Sequence, residues 1–247
     1  MTDAAPRGWE RLVSRWPLLA RVRRELGSLI ALAVAAGGVF AFLRIAGEMR
    51  EGDTRAFDSA ILLALRNPAD LSDPIGPRWL EIAMRDVTSL GSVTVLTMVT
   101  MAAVAYLLID GRRGAALLVA VAVGGGTVLS TLLKLGFERP RPDLVSHLVD
   151  VTDMSFPSGH AMLSAVTYLT LGALLARTAA RRRQKVFVVV AAILLTVLVG
   201  SSRVYLGVHW PTDVLAGWAL GAGWSIGCWA IANALQGSGT VEQGPQT

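Results

Sequence analysis

A chain of 247 residues that is 53% hydrophobic and 17% charged, with a mean hydropathy of +0.53, reads as a single membrane-embedded domain rather than one or two soluble ones. Its net charge of +5 comes from basic residues blocked at the ends of apolar runs, not strung along one face with aromatics between them, which argues against nucleic acid as a partner. The lone Cys228 can neither close an intrachain disulfide nor build a zinc site.

The chain opens on a basic segment, 1–25, carrying Arg7, Arg11, Arg15, Arg21, Arg23 and Arg24. The apolar run 26–43 that follows is too long, and its leader too extended, for a cleaved signal peptide, so it is expected to remain as an anchor. A spanning helix needs about 20 mainly apolar residues. Five more segments qualify or come close: 90–109, 114–133, 161–176, 186–200 and 214–235. The runs 161–176 and 186–200 are short, but the polar flanks 158–160 and 201–206 can extend those helices into the interface. The fold expected is therefore all-α, a polytopic bundle of six transmembrane helices over 26–235. Between the first two spans, Phe57, Ile61, Leu62 and Leu65 recur at helical spacing, as do Trp79, Ile82 and Ala83. They predict short amphipathic helices lying at the interface, or else a cap packed on the helix ends. Gly217, Gly221, Gly223 and Gly227 would let the last helix pack closely on a neighbour. The tail 236–247, rich in Gly, Gln and Ser, is expected to be disordered.

Arginine placement sets an expected orientation. The leader, Arg112 with Arg113, and the block Arg177, Arg181, Arg182, Arg183 and Lys185 all fall on one side, which becomes cytoplasmic together with both termini. The opposite, extracytoplasmic side then holds the loops 45–90, 136–157 and 202–213. Three polar clusters meet there, and ionisable residues at a membrane boundary are a functional site by default.

In the first cluster Lys134 is followed by Arg139-Pro140-Arg141-Pro142. Together with Arg203, Lys134 and Arg141 place three cations at helix ends, and a guanidinium fork matches phosphate oxygens. Glu138, Asp143, Asp150 and Asp153 could neutralise some of that charge, which would make the cluster an ion-paired loop. In the second, Pro157-Ser158-Gly159-His160 reads as a helix start with Ser158 at the cap, leaving the Gly159 and His160 amides free to attract an anion. In the third, His209 and Asp213 stand four apart, with Trp210-Pro211 between them. That spacing sets the carboxylate beside the ring, where it can fix the tautomer and leave the other nitrogen free for attack. His160 could then protonate a leaving oxygen and later deprotonate water. Either histidine alone would read as an interfacial residue bonded to a carbonyl. His147 lies outside the clusters.

Taken together, Lys134 and Arg141-Pro142 with six residues between them, Pro157-Ser158-Gly159-His160, and Ser202-Arg203, His209 and Asp213 with five and then three residues between them resemble the signature of the type 2 phosphatidic acid phosphatase superfamily. That superfamily also includes the vanadium haloperoxidases and glucose-6-phosphatase. The resemblance implies catalysis without metal or cofactor, in the cytoplasmic membrane of a bacterium. It gives His209 the role of nucleophile, Asp213 that of orienting it, and His160 that of acid and then base. Lys134, Arg141, Arg203, Ser158 and the Gly159 amide would hold the phosphoryl oxygens. Only Arg141 has the signature spacing from Lys134, which leaves Arg139 as an auxiliary or surface charge.

The function expected is hydrolysis of a lipid phosphate or diphosphate in the bilayer, of the phosphatidic acid, phosphatidylglycerophosphate or undecaprenyl diphosphate type. Two alternatives stand beside it. A phosphotransferase would discharge the phosphohistidine to a lipid or sugar hydroxyl, and a transporter would bind the phosphate compound without cleaving it.

Overall fold

The computed structural model describes residues 8–237, with side chains from 26 to 234. Eight helices follow in order: α1 (Gly8–Glu51), α2 (Arg55–Ala64), α3 (Arg78–Ser89), α4 (Val93–Ile109), α5 (Arg113–Phe137), α6 (Gly159–Thr178), α7 (Arg182–Tyr205) and α8 (Pro211–Gly237). Five of them, α1, α5, α6, α7 and α8, are long and apolar enough to cross a membrane. Helix α4 reaches that length only together with α3, across a 48° bend. The bend falls at Leu90-Gly91-Ser92, where Ser92 accepts from the Val95 amide at 3.3 Å and starts a new helix. The expected segment 90–109 thus falls in α4 and the break before it, and it passes as a sixth candidate span only as part of this bent pair.

The short segments 161–176 and 186–200 do extend, as their polar flanks suggested, into α6 and α7. Helix α6 is the centre of the bundle, packed on α5, α7 and α8, while α1 lies outside against α8. Half of the α6 apolar window is buried against 11% of that of α1. Close approach of α8 depends on glycine. A Cβ at Gly217 would stand 2.8 Å from the Ser158 carbonyl oxygen, and one at Gly221 only 2.5 Å from that of Met162. Large apolar side chains such as Phe40, Met98, Leu132 and Phe187 point outward from the bundle, the surface expected of a protein solvated by lipid.

The segment between α1 and α4 divides in its behaviour. Helix α2 folds inward as a cap: Leu62 is fully buried against Val145, Val204 and Trp210, with Ile61 and Leu65 beside it. Helix α3 packs on α7 through Leu80 and Met84 but leaves Trp79 and Ile82 exposed. A small antiparallel hairpin not anticipated from the sequence joins them, β1 (Arg66–Asn67) to β2 (Asp70–Pro74). Its turn is made by Asn67 accepting from the Ala69 amide at 3.1 Å and Asp70 from that of Ser72 at 2.9 Å. The predicted tail begins inside α8, and its residues from 238 lie outside the described part, as do all the side chains of the basic leader 1–25.

Candidate active site

The three polar clusters meet at one end of the bundle, around a cavity of about 360 Å³. Lys134, Arg141, Gly159, His160, Arg203 and His209 all line it, with Asp153 at its rim. Helix ends deliver four of the six, and Arg141 comes from the loop after α5. Lys134 stands in the last turn of α5, Gly159 and His160 open α6, Arg203 closes α7, and His209 sits in the tight connection before α8. That connection turns at Gly207, whose φ of +75° favours glycine.

The start of α6 is built as the sequence suggested, with the Ser158 hydroxyl accepting from the Ala161 amide at 3.5 Å. Ser158 is fully buried and its own amide donates to the Asp213 carbonyl at 3.0 Å, so it ties α6 to α8 rather than facing the cavity. Gly159 neighbours Lys134, and a Cβ there would lie 3.5 Å from its Cε, an ordinary contact. Gly91, in the break between α3 and α4, makes room for His160: a Cβ would fall 3.3 Å from its Cδ2 and 2.3 Å from Val199 Cγ1.

His209 is 1% exposed. Its Nε2 lies 3.2 Å from Arg141 Nη1, which can only donate, so Nε2 is the unprotonated nitrogen and the hydrogen sits on Nδ1. Nδ1 faces Asp213 Oδ2 at 3.4 Å and Ser155 Oγ at 3.3 Å, and the Ser155 hydroxyl donates to the same Oδ2. Ser155 therefore bridges ring and carboxylate, a part that no charge or motif marks at its place two residues before Pro157. Asp213 also accepts from the Trp210 amide at 3.0 Å, the reach-back of a third helical residue to its cap. Burial first, then the cations Arg141, Arg203 and Lys134, push the His209 imidazole well below its ordinary value of 6.5. The ring is therefore neutral, as a nucleophile must be.

Opposite stand the cations. Lys134 Nζ donates to the Met154 carbonyl at 2.8 Å and to Asp153, and Arg141 grips the same carboxylate while its Nε donates to the Asp153 carbonyl at 2.8 Å. Of the four loop carboxylates that could have neutralised these charges, Asp153 is the one that does. Burial raises its carboxyl, but Lys134 and Arg141 reverse this and hold it at about 2. Arg203 donates to Thr88 Oγ1 at 3.1 Å, and its buried Nε has no protein partner. Three cations around one small cavity, with a neutral imidazole at its wall, can hold a phosphoryl group for in-line attack.

Arg139 is not a surface charge. Its side chain is 11% exposed and pairs with Asp213 and with Asp58 of α2. His147 lies apart, its Nε2 against the Pro142 carbonyl at 2.8 Å.

The chain is similar to known proteins in sequence and in fold. A phosphatidylglycerophosphatase B of Bacillus subtilis is 34% identical over 186 residues, covering 73% of this chain and 85% of that protein. An undecaprenyl-diphosphatase of Sulfolobus acidocaldarius is 45% identical over 71 residues, 29% of this chain and 30% of that one. Among solved structures, a transmembrane PAP2 type phosphatidylglycerolphosphate phosphatase from Bacillus subtilis superposes with a TM-score of 0.73 at 29% identity, covering 85% of this chain and 98% of its own. Residues 113–236, which hold every cluster described above, match the PAP2 superfamily. The chain belongs to the PAP2 superfamily and is a membrane phosphatase.

Proposed function

We propose that the protein releases inorganic phosphate from a glycerophospholipid phosphate of the phosphatidylglycerophosphate kind, at the extracytoplasmic leaflet, through a phosphohistidine at His209. The observation that carries this reading is the gathering of two imidazoles, His160 and His209, with Lys134, Arg141 and Arg203 on one cavity wall. Binding alone needs the cations but not the two imidazoles. Similarity to a phosphatidylglycerophosphatase over most of both chains supports that headgroup over a diphosphate, for which the similarity spans under a third of each chain.

In the first step His209 Nε2 attacks phosphorus, the bond from phosphorus to the lipid oxygen breaks, and that oxygen takes a proton from His160. In the second, His160 takes a proton from water, the resulting oxygen attacks phosphorus, and the phosphorus–nitrogen bond breaks to free phosphate and restore His209. Lys134, Arg141, Arg203 and the Gly159 amide hold the equatorial oxygens as charge develops. Asp213, with Ser155, keeps the hydrogen on Nδ1 through both steps. The outward placement rests on Arg112, Arg113, Arg177, Arg181, Arg182, Arg183 and Lys185, which lie in or beside the α4–α5 and α6–α7 connections.

Phosphate release from phosphatidylglycerophosphate, phosphatidic acid and undecaprenyl diphosphate in mixed micelles tests the substrate. Fastest release from the first is expected; fastest release from undecaprenyl diphosphate would replace the proposed headgroup. Binding of all three without release would turn the reading toward transport.

A further inference from the structure

Arg139 lies outside the cavity lining, yet it is bound on both arms. Its Nη1 donates to Asp213 Oδ1 at 2.6 Å and to Thr212 Oγ1 at 2.9 Å, and its Nη2 to Asp58 Oδ2 at 2.7 Å. Both carboxylates are fully buried. Asp58 in turn accepts from the Thr212 amide at 2.9 Å and from Thr212 Oγ1 at 2.7 Å, so a residue of α2 completes the first turn of α8. The guanidinium also stands 5.3 Å from the Trp210 ring centre. A single cation is thus locked between two buried acids from separate elements.

The two oxygens of Asp213 are divided between different tasks. Oδ2 faces His209, Ser155 and the Trp210 amide, whereas Oδ1 is held by Arg139. A carboxylate gripped on the far oxygen by a rigid, planar fork cannot rotate about its own bond, so its near oxygen stays aimed at Nδ1. The charge of Asp213 is also met by a cation that never touches the phosphoryl group. A lysine could supply that charge but not reach both acids in fixed directions.

We propose that Arg139, anchored by Asp58, is a positioning residue that fixes Asp213 and through it the attacking tautomer of His209; this rests on the reading of His209 as nucleophile. The residue acts on the chemical step and not on the grip of phosphate, because the cations that line the cavity are others.

The experiment uses the full-length protein in detergent, with Arg139→Gln, Arg139→Lys, Asp58→Asn, the Asp58→Asn/Arg139→Gln double variant and His209→Ala. Turnover of a chromogenic aryl phosphate gives kcat and KM, and calorimetric titration with orthovanadate counts intact sites. Arg139→Gln should lower kcat about 100-fold, on the scale of lost outer-shell partners, with KM within about twofold and vanadate stoichiometry unchanged. Asp58→Asn should cost about tenfold, and the double variant no more than Arg139→Gln alone. A kcat within about threefold of the parent, a loss of vanadate sites equal to the loss of kcat, or additive effects in the double variant would overturn the proposal. Should Arg139→Gln fail to fold, Arg139→Lys decides: full stoichiometry with kcat lowered at least about tenfold supports positioning, and parental kcat refutes it. Retained turnover in His209→Ala would sink the nucleophile reading itself, whereas a dead His209→Ala beside an active Arg139→Gln would sink this inference alone.

Discussion

Asp213 and Asp153 are both carboxylates gripped by arginine at the same end of the bundle, but one is fully buried and the other has 57% of its side chain exposed. Around Asp213 the surroundings are closed: Arg139, Ser155 and the Trp210 amide hold it, and Asp58 locks Arg139 from behind. Around Asp153 they are open, since a loop carboxylate sits on Lys134 and Arg141, where an incoming phosphoryl group would need to sit. The closed half keeps a histidine in one tautomer. The open half presents two largely buried cations whose present partner is a carboxylate on an exposed loop, an anion with which an incoming phosphoryl group can compete. A catalyst for phosphoryl transfer needs both qualities, rigidity behind the nucleophile and exchange in front of it.

The largest expected effect comes from breaking the closed half at its tip. His209→Ala should lower phosphate release by about 10⁴-fold or more, as loss of a covalent nucleophile does, while inorganic phosphate still binds to the cations. Next, Gly91→Ala forces a methyl group to within 2.3 Å of Val199 Cγ1 and 3.3 Å of the His160 ring. It should destabilise the fold by about 1–3 kcal/mol in a thermal melt and displace His160 enough to reduce kcat about tenfold. Smaller and opposite in sign, Asp153→Asn frees Lys134 and Arg141 of a competing charge. Inhibition by inorganic phosphate should tighten about tenfold, roughly 1.4 kcal/mol, with KM lowered as well. An unchanged inhibition constant would show that the loop carboxylate does not compete with phosphate.

The comparison also has a pH signature. Because burial and three cations lower the His209 pKa, acid must be taken well below 6.5 before the ring protonates. Arg141→Gln removes one of those cations, so the midpoint of the His209 ring signal in a nuclear magnetic resonance titration should move up, toward 6.5. A midpoint that stays put would mean that burial alone sets it.

The open half was largely legible in the sequence. Lys134, Arg141 and Arg203 are charges stranded at the ends of apolar runs, and the structure gathers all three on one cavity. Spacing alone also brought His209 and Asp213 together, because four residues span about one helical turn. The closed half was not legible beyond that pair. Asp58 lies on an amphipathic stretch 81 residues from Arg139, and only the fold brings the two to 2.7 Å. Ser155 and Gly91 carry no charge or periodicity to mark them. Arg139 misses the spacing from Lys134 and so reads as an auxiliary or surface charge, although its neighbour in a repeated Arg-Pro step faces the cavity. Arg139 turns to Asp58 and Asp213 while Arg141 faces the cavity, and partners so distant in the chain are not encoded in any local pattern. In the same way the bundle was readable from apolar runs, but the break at Gly91-Ser92 and the small hairpin after α2 depend on single capping and turn residues.

The most direct test follows the phosphoryl group itself. In His160→Ala an aryl phosphate, whose leaving oxygen needs no proton, should still be attacked by His209, while hydrolysis of the product lacks its base. Rapid quenching with a labelled substrate should then trap about one acid-labile, alkali-stable phosphoryl group per protein, on the peptide that contains His209. Label on another residue, or turnover with no label on His209 at any time, would contradict the account.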